Sequence, residues 1–94
     1  MRGSVIMVDR SKKIFFSKHA RLKMVDRGTS EEEVIGAIKE GSFELTCKGR
    51  FLFRKNLSFN GFWRTRRYLT KQIAPVIVEE EDKLVIVTVY VYYF

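Results

Sequence analysis

A chain of 94 residues is long enough for one hydrophobic core and too short for two, so a single domain over residues 1–94 is expected. Apolar residues make up 46% and aromatics 14%, which excludes a disordered chain, and the net charge of +7 points to an anionic partner. The only cysteine, Cys47, excludes an intrachain disulfide, and with one histidine in the chain there is no zinc-ligand spacing. No cofactor is expected, and a reducing cytoplasm is the expected location.

In chain order, Val5–Val8 is an apolar run too short for a signal peptide or a membrane span, and no membrane partner is expected. Lys13–Phe16 reads as a short strand, paired with Val5–Val8 across the polar turn 9–12. Ser17 is placed to cap a helix over Lys18–Arg27, which Gly28 ends. Ala20 and Met24, flanked by Leu22 or Val25, form its expected buried stripe. Ser30 and Glu33 make a capping box for a second helix, with Glu31 and Glu32 suiting its positive dipole end and Gly41 stopping it. Val34, Ala37 and Ile38 fall on its inner face.

From Phe43 the pattern changes to aromatic and β-branched residues at strand spacing. Strands are expected over Arg50–Leu57, Tyr68–Glu79 and Leu84–Tyr93, with turns at Asn60-Gly61 and at Glu80-Glu81-Asp82. Pro75 lacks a donor, so a bulge or a sheet edge is expected there. In the last strand Val85, Val87, Val89 and Val91 alternate with Leu84, Ile86, Thr88, Tyr90 and Tyr92; the valine face is expected to meet the helices and the hydroxyl-bearing face to be the working surface. The aromatic end, Tyr92-Tyr93-Phe94, is expected to be covered by a neighbouring strand or by a second copy of the chain. The fold class is therefore α+β, two N-terminal helices packed on an antiparallel sheet of three to five strands.

The sequence carries no phosphate-cradling glycine motif, nucleophile elbow or recognisable carboxylate pair. Its strongest chemical feature is a one-sign segment: between Leu45 and Val78 there is no Asp or Glu, while Lys48, Arg50, Arg54, Lys55, Arg64, Arg66, Arg67 and Lys71 are all cationic. Such a segment suits RNA or another polyanion, with Lys23, Arg54, Lys55, Arg64, Arg66, Arg67 and Lys71 as candidate phosphate contacts. Phe51, Phe53, Phe59, Phe62, Trp63 and Tyr68 are candidate stacking faces for unpaired bases. The alternative is a solvated basic face with those aromatics turned into the core.

His19 shares one side of the first helix with Lys23 and Arg27 at i+4 and i+8, away from Ala20 and Met24. There it serves either as a structural hydrogen-bonding group or as a general acid/base beside two cations. Cys47 is expected to be a small buried or half-buried side chain and not a nucleophile.

Phe16-Ser17-Lys18-His19-Ala20-Arg21, Arg27-Gly28-Thr29-Ser30, Glu33-Val34, Ala37-Ile38 and the terminal Thr88-Val89-Tyr90 together resemble a small prokaryotic family of unknown function near the RelE and BrnT toxins. Its pattern reads Ser-x-His-Ala, Arg-Gly-Ile-Ser and Thr-Val-Tyr, and this chain departs from it at Thr29. The resemblance implies a toxin–antitoxin-type, metal-independent endoribonuclease that uses the RNA 2′-hydroxyl as nucleophile. Positions matching the pattern are His19, Arg27 and Thr88, and Arg50 and Tyr90 join them as candidate catalytic groups on chemical grounds. RNA is then the expected substrate, with an antitoxin protein and a homodimer as further partners. Two other readings stay open, a nucleic-acid-binding module without catalysis and a regulatory or structural protein acting through its C-terminal strand.

Overall fold

The computed structural model describes residues 7–94. It is an α+β fold with the element order β1 (Lys13–Phe16), α1 (Lys18–Arg27), α2 (Glu31–Glu40), β2 (Ser42–Leu45), a single 3-10 turn (Cys47–Gly49), β3 (Phe51–Trp63), β4 (Arg66–Glu79) and β5 (Lys83–Tyr93).

The helix boundaries follow from local chemistry. Ser17 Oγ accepts from the Ala20 N–H at 3.0 Å, and Gly28, at φ +79°, donates its N–H to Met24 O at 2.9 Å. Ser30 Oγ accepts from the Glu33 N–H at 3.2 Å and opens α2. Gly41 ends α2 for a different reason from Gly28. Its backbone is extended at φ −77°, but a Cβ there would lie 2.5 Å from both Ala37 O and Arg54 O. The close passage of β3, and not a left-handed cap, is what requires glycine.

The five strands lie in the order β1-β5-β4-β3-β2. Every neighbouring pair is antiparallel except β1 and β5, which run parallel with Lys13 opposite Lys83 and Phe16 opposite Ile86. The strand expected at Lys13–Phe16 is present, but it joins the main sheet in parallel, so the sheet is mixed where an antiparallel one following the helices was expected. Of the hairpin partner expected for β1, Val5 and Ile6 lie outside the described residues, while Met7 and Val8 are not in a strand. The backbone groups of β1 pair with β5 instead.

Two turn expectations shift. Asn60-Gly61 does not reverse the chain: β3 continues to Trp63, and the reversal falls at Arg64 (φ +60°) and Thr65. Asn60, at φ +46°, sits in an irregularity where the register with β4 slips by one between Ser58 and Gly61. The extra pairing is supported by Phe59, Trp63 and Tyr68, which gather around Tyr93 at centroid distances of 5.3, 4.9 and 5.6 Å. Pro75 lies in the interior strand β4, opposite Val89, and a register slip on the β5 side follows between Val76 and Ile77. The extra residue of that slip is Val87 on β5, so β4 runs unbroken through Pro75 and neither the bulge nor the edge position expected at Pro75 is found there.

Both helices pack on one face of the sheet. Val34 and Ile38 of α2, Phe53 of β3, Ile73 and Ile77 of β4, and Leu84, Ile86 and Val89 of β5 are completely buried, each contributing about 1.5–3 kcal/mol of transfer free energy. The valine face of β5 is corrected by the slip. Leu84 and Ile86 face the helices before it, Val89 and Val91 after it, because Val76-Ile77 pairs with Thr88 and Ile86, leaving Val87 as the extra residue. Leu22 and Val25 do not flank the stripe of α1. They are exposed, at 65% and 84%, because the helix touches the sheet along only the narrow Ala20–Met24 line. Phe51 and Phe53 belong to the core and offer no stacking face. Among the described residues no helix is long and apolar enough to cross a membrane.

Candidate functional site

Beyond Phe16 the outer side of β5 loses its parallel partner, and α1 runs along it instead. The Ser17 N–H donates to Ile86 O at 3.1 Å and its Oγ to Val87 O at 3.3 Å. Ten residues on, Arg27 Nη1 donates to Val89 O at 2.8 Å. The N-cap Ser17 and the Arg27 side chain thus satisfy strand carbonyls that a further strand would otherwise take. As far as Val89, β5 is therefore flanked by β4 on one side and by β1 and then α1 on the other. Backbone pairing with β4 runs to the last residue, Thr70 and Phe94 exchanging N–H···O bonds of 2.7 and 3.0 Å, but of the aromatic end only Tyr93 is turned inward, against Trp63, while Tyr92 and Phe94 stay exposed and lack the cover expected for them.

The extra residue at Val87 turns Thr88 away from the core, and Tyr90 follows it. Against these two stands the polar side of α1, with His19, Lys23 and Arg27 in a row, and Arg50 reaches in from the start of β3. Together with Ser17 and Val87 they line an open cleft of about 580 Å³. All five candidate catalytic residues, His19, Arg27, Arg50, Thr88 and Tyr90, therefore lie in one place, as does Lys23 from the binding set. Among the described residues, none that lines the cleft is acidic. Among the described residues Lys23, Arg27 and Arg50 pair with no carboxylate, in contrast to Arg54, Lys55 and Lys71. The cleft is a concentration of uncompensated positive charge with hydroxyl donors beside it, the arrangement that favours a bound phosphate.

Arg27 is held on two sides. Besides its bond to Val89 O, its guanidinium lies 5.0 Å over the ring of Tyr90. Tyr90 in turn stands 6.4 Å from Tyr92 with the ring planes 18° apart. Exposed His19 sits next to Lys18 in the first turn of α1.

The remaining candidate phosphate contacts separate into three settings. Arg64, Arg66 and Arg67 are exposed at the β3–β4 tip, over Trp63, over Tyr68 and against Asn60 Oδ1 respectively. Arg64 Nη2 also approaches Asp26 O at 3.5 Å, which brings the tip to the C-terminal end of α1, next to Arg27. Arg54 lies on the helix-free face of the sheet, with Glu44 at 3.4 Å and Gln72 Oε1 at 3.3 Å. Lys55 is on the opposite face, paired with Glu40, and Lys71 is buried at 7% exposure with Nζ 2.7 Å from Glu33. Lys71 is thus not a surface cation. Its strand position points it beneath α2, where only a carboxylate partner makes a buried ammonium tolerable.

Burial pushes the Glu33 carboxyl up, but bonds from Lys71 and Thr29 and the charge of Lys71 outweigh it and hold it below the ordinary carboxylate value. Burial and the Glu33 charge raise the Tyr93 phenol, opposed by Arg64. Cys47 is exposed in the 3-10 turn, not buried or half-buried as expected, because that turn protrudes between β2 and β3. Among the described residues no cluster of three or more His, Cys, Asp or Glu side chains has the arrangement of a metal site.

Sequence reasoning read Ser17 only as a helix cap and missed its place in the cleft wall. It also placed Val87 toward the helices, because the run Val85-Ile86-Val87-Thr88-Val89 carries no sign of where an extra residue sits. Comparison with family models, with curated proteins and with solved structures finds no match for this chain.

Proposed function

We propose that this protein is an RNA-directed, metal-independent endoribonuclease of the toxin–antitoxin type, with the α1–β5 cleft as its active site. The observation that carries this reading is the convergence of His19, Arg27, Arg50, Thr88 and Tyr90 on one open cleft free of acidic residues. The residues that resemble the RelE and BrnT pattern, in the Ser-x-His-Ala, Arg-Gly and Thr-Val-Tyr segments, are those that meet there.

In the reaction the RNA 2′-oxygen forms a bond to phosphorus and the P–O5′ bond breaks. The 2′-hydroxyl proton passes to a base, and the departing 5′-oxygen takes a proton from an acid. Charge grows on the phosphoryl oxygens and on the leaving oxygen, so Arg27, Arg50 and Lys23 stabilise the transition state more than the ground state. The Thr88 hydroxyl donates to a phosphoryl oxygen, and the imidazole of His19 and phenol of Tyr90 carry the two protons. The products are a 2′,3′-cyclic phosphate and a 5′-hydroxyl.

A second reading, a nucleic-acid-binding module without cleavage, draws on the double engagement of Arg27 with Val89 O and Tyr90, which fixes a phosphate-binding cation without any need for chemistry. Incubating the protein with end-labelled single-stranded RNA in EDTA separates the two. Cleavage with cyclic-phosphate ends, reduced roughly a hundredfold or more in His19→Ala and Arg50→Ala, is expected for the nuclease. Bound but intact RNA favours the binding module, and cleavage that persists in both variants or vanishes on chelation removes this site.

A further inference from the structure

The helix-free face of the sheet continues past the cleft along β5. Tyr90 lines the cleft, and Tyr92, two residues on, stands on the same face with its ring nearly parallel to that of Tyr90, 6.4 Å away. Both rings are exposed, at 41% and 47%, in a chain whose other tyrosine at this end, Tyr93, is turned inward beneath Trp63. Opposite Tyr92 in the ladder is Gln72, held by bonds with Asn56 Oδ1 at 2.8 Å and Arg54 at 3.3 Å. The face therefore passes from an uncompensated cationic cleft to two open aromatic rings bordered by amides and a further guanidinium.

We propose that Tyr90 and Tyr92 form a nucleobase platform, and that the substrate is an unpaired RNA strand whose base next to the cleft-bound phosphate stacks on them. The inference rests on the functional reading above and narrows its substrate class. Successive phosphates of one strand flank each base, so a polymer threaded through a cationic cleft delivers a base to the aromatic surface beside it. Stacking tolerates any base because each has a π face, and it requires that the base be free of a pairing partner. Arg27, 5.0 Å from the Tyr90 ring, joins the two halves of the site, withdrawing electron density from the platform while presenting charge to the phosphate. Charge complementarity decides the occupant, since an exposed aromatic pair beside so many uncompensated cations suits an anionic chain bearing planar groups.

The test uses short 2′-O-methyl RNA, which binds without being cut, carrying 2-aminopurine or an abasic residue at successive positions. With the native protein, one aminopurine position should lose fluorescence on binding, and an abasic residue at that position should weaken binding roughly five- to hundredfold. Tyr92→Leu should weaken binding of intact RNA by a similar factor, restore the aminopurine signal, and show no further loss with the abasic strand. Tyr92→Phe, which keeps the ring, should bind within about twofold of native. The same sequence in a duplex should bind more weakly than the single strand. The abasic comparison on native protein does not depend on any variant folding. Equal affinity for intact and abasic strands at every position, or for duplex and single strand, overturns the platform and leaves the nuclease reading standing. Absence of binding to RNA in any form overturns both.

Discussion

Arg27 Nη1 donates to Val89 O at 2.8 Å, fastening the end of α1 to the outer side of β5. Four residues further along the strand the Tyr93 hydroxyl returns a bond of 2.9 Å to Arg27 O, and Trp63 stacks on Tyr93 with 10° between the ring planes. The cleft wall is thereby tied to the β3–β4 hairpin. A Cβ on Gly28 would reach within 2.5 Å of the Trp63 ring, so the helix can end here only on glycine.

This double role predicts a split between two substitutions. Arg27→Ala should lower stability by about 1–3 kcal/mol, because a half-buried strand carbonyl loses a charged donor, and should weaken RNA binding as well. Arg27→Lys should recover much of the affinity but little of the stability, since an ammonium cannot reproduce the planar fork that bridges carbonyl and ring. Urea unfolding and RNA titration on the same samples give both quantities. Native-like stability in Arg27→Ala would show that water satisfies Val89 O and that the bond is not a brace.

The Lys71–Glu33 pair predicts an acid-sensitive fold. The folded carboxyl of Glu33 is held below its ordinary value, so its stabilisation is fully present above the unfolded value of about 4.3 and is lost as pH falls through the lowered folded value. Lys71→Met should destabilise the protein at neutral pH by about 1–3 kcal/mol and flatten the loss of stability between neutral pH and about pH 3. The double variant Lys71→Met/Glu33→Leu should recover most of the neutral-pH loss. Urea midpoints across that range supply the measurement, and an unchanged acid limb in Lys71→Met would assign it to other carboxylates.

At the hairpin tip Arg64, Arg66 and Arg67 are exposed and close to the end of α1. If they extend the phosphate track out of the cleft, RNA affinity should fall with salt at a log-log slope of about −2 to −4, and their joint replacement by Gln should reduce its magnitude by about 2. Thermal stability should stay nearly native, because surface cation–π contacts contribute little. A slope unaltered in the triple variant would make the tip a solvated surface.

The sequence by itself determined the parts of the molecule that depend on near neighbours. Ser17, Gly28 and Ser30 act on backbone groups within a single helical turn, so both helices are legible at the residue level, and the i, i+4, i+8 spacing put His19, Lys23 and Arg27 on one side of α1 before any tertiary contact was known. Only the tertiary structure decided what lies opposite that row. The parallel pairing of β1 with β5 joins residues seventy positions apart, and the slip at Val87, in a stretch where every residue suits a strand, selects which of Thr88, Val89 and Tyr90 meet the core. Asn60-Gly61 became an irregularity and Lys71 a buried ion partner for the same reason: register and burial are settled by packing summed over distant strands, and that sum is not written in any local run of residues.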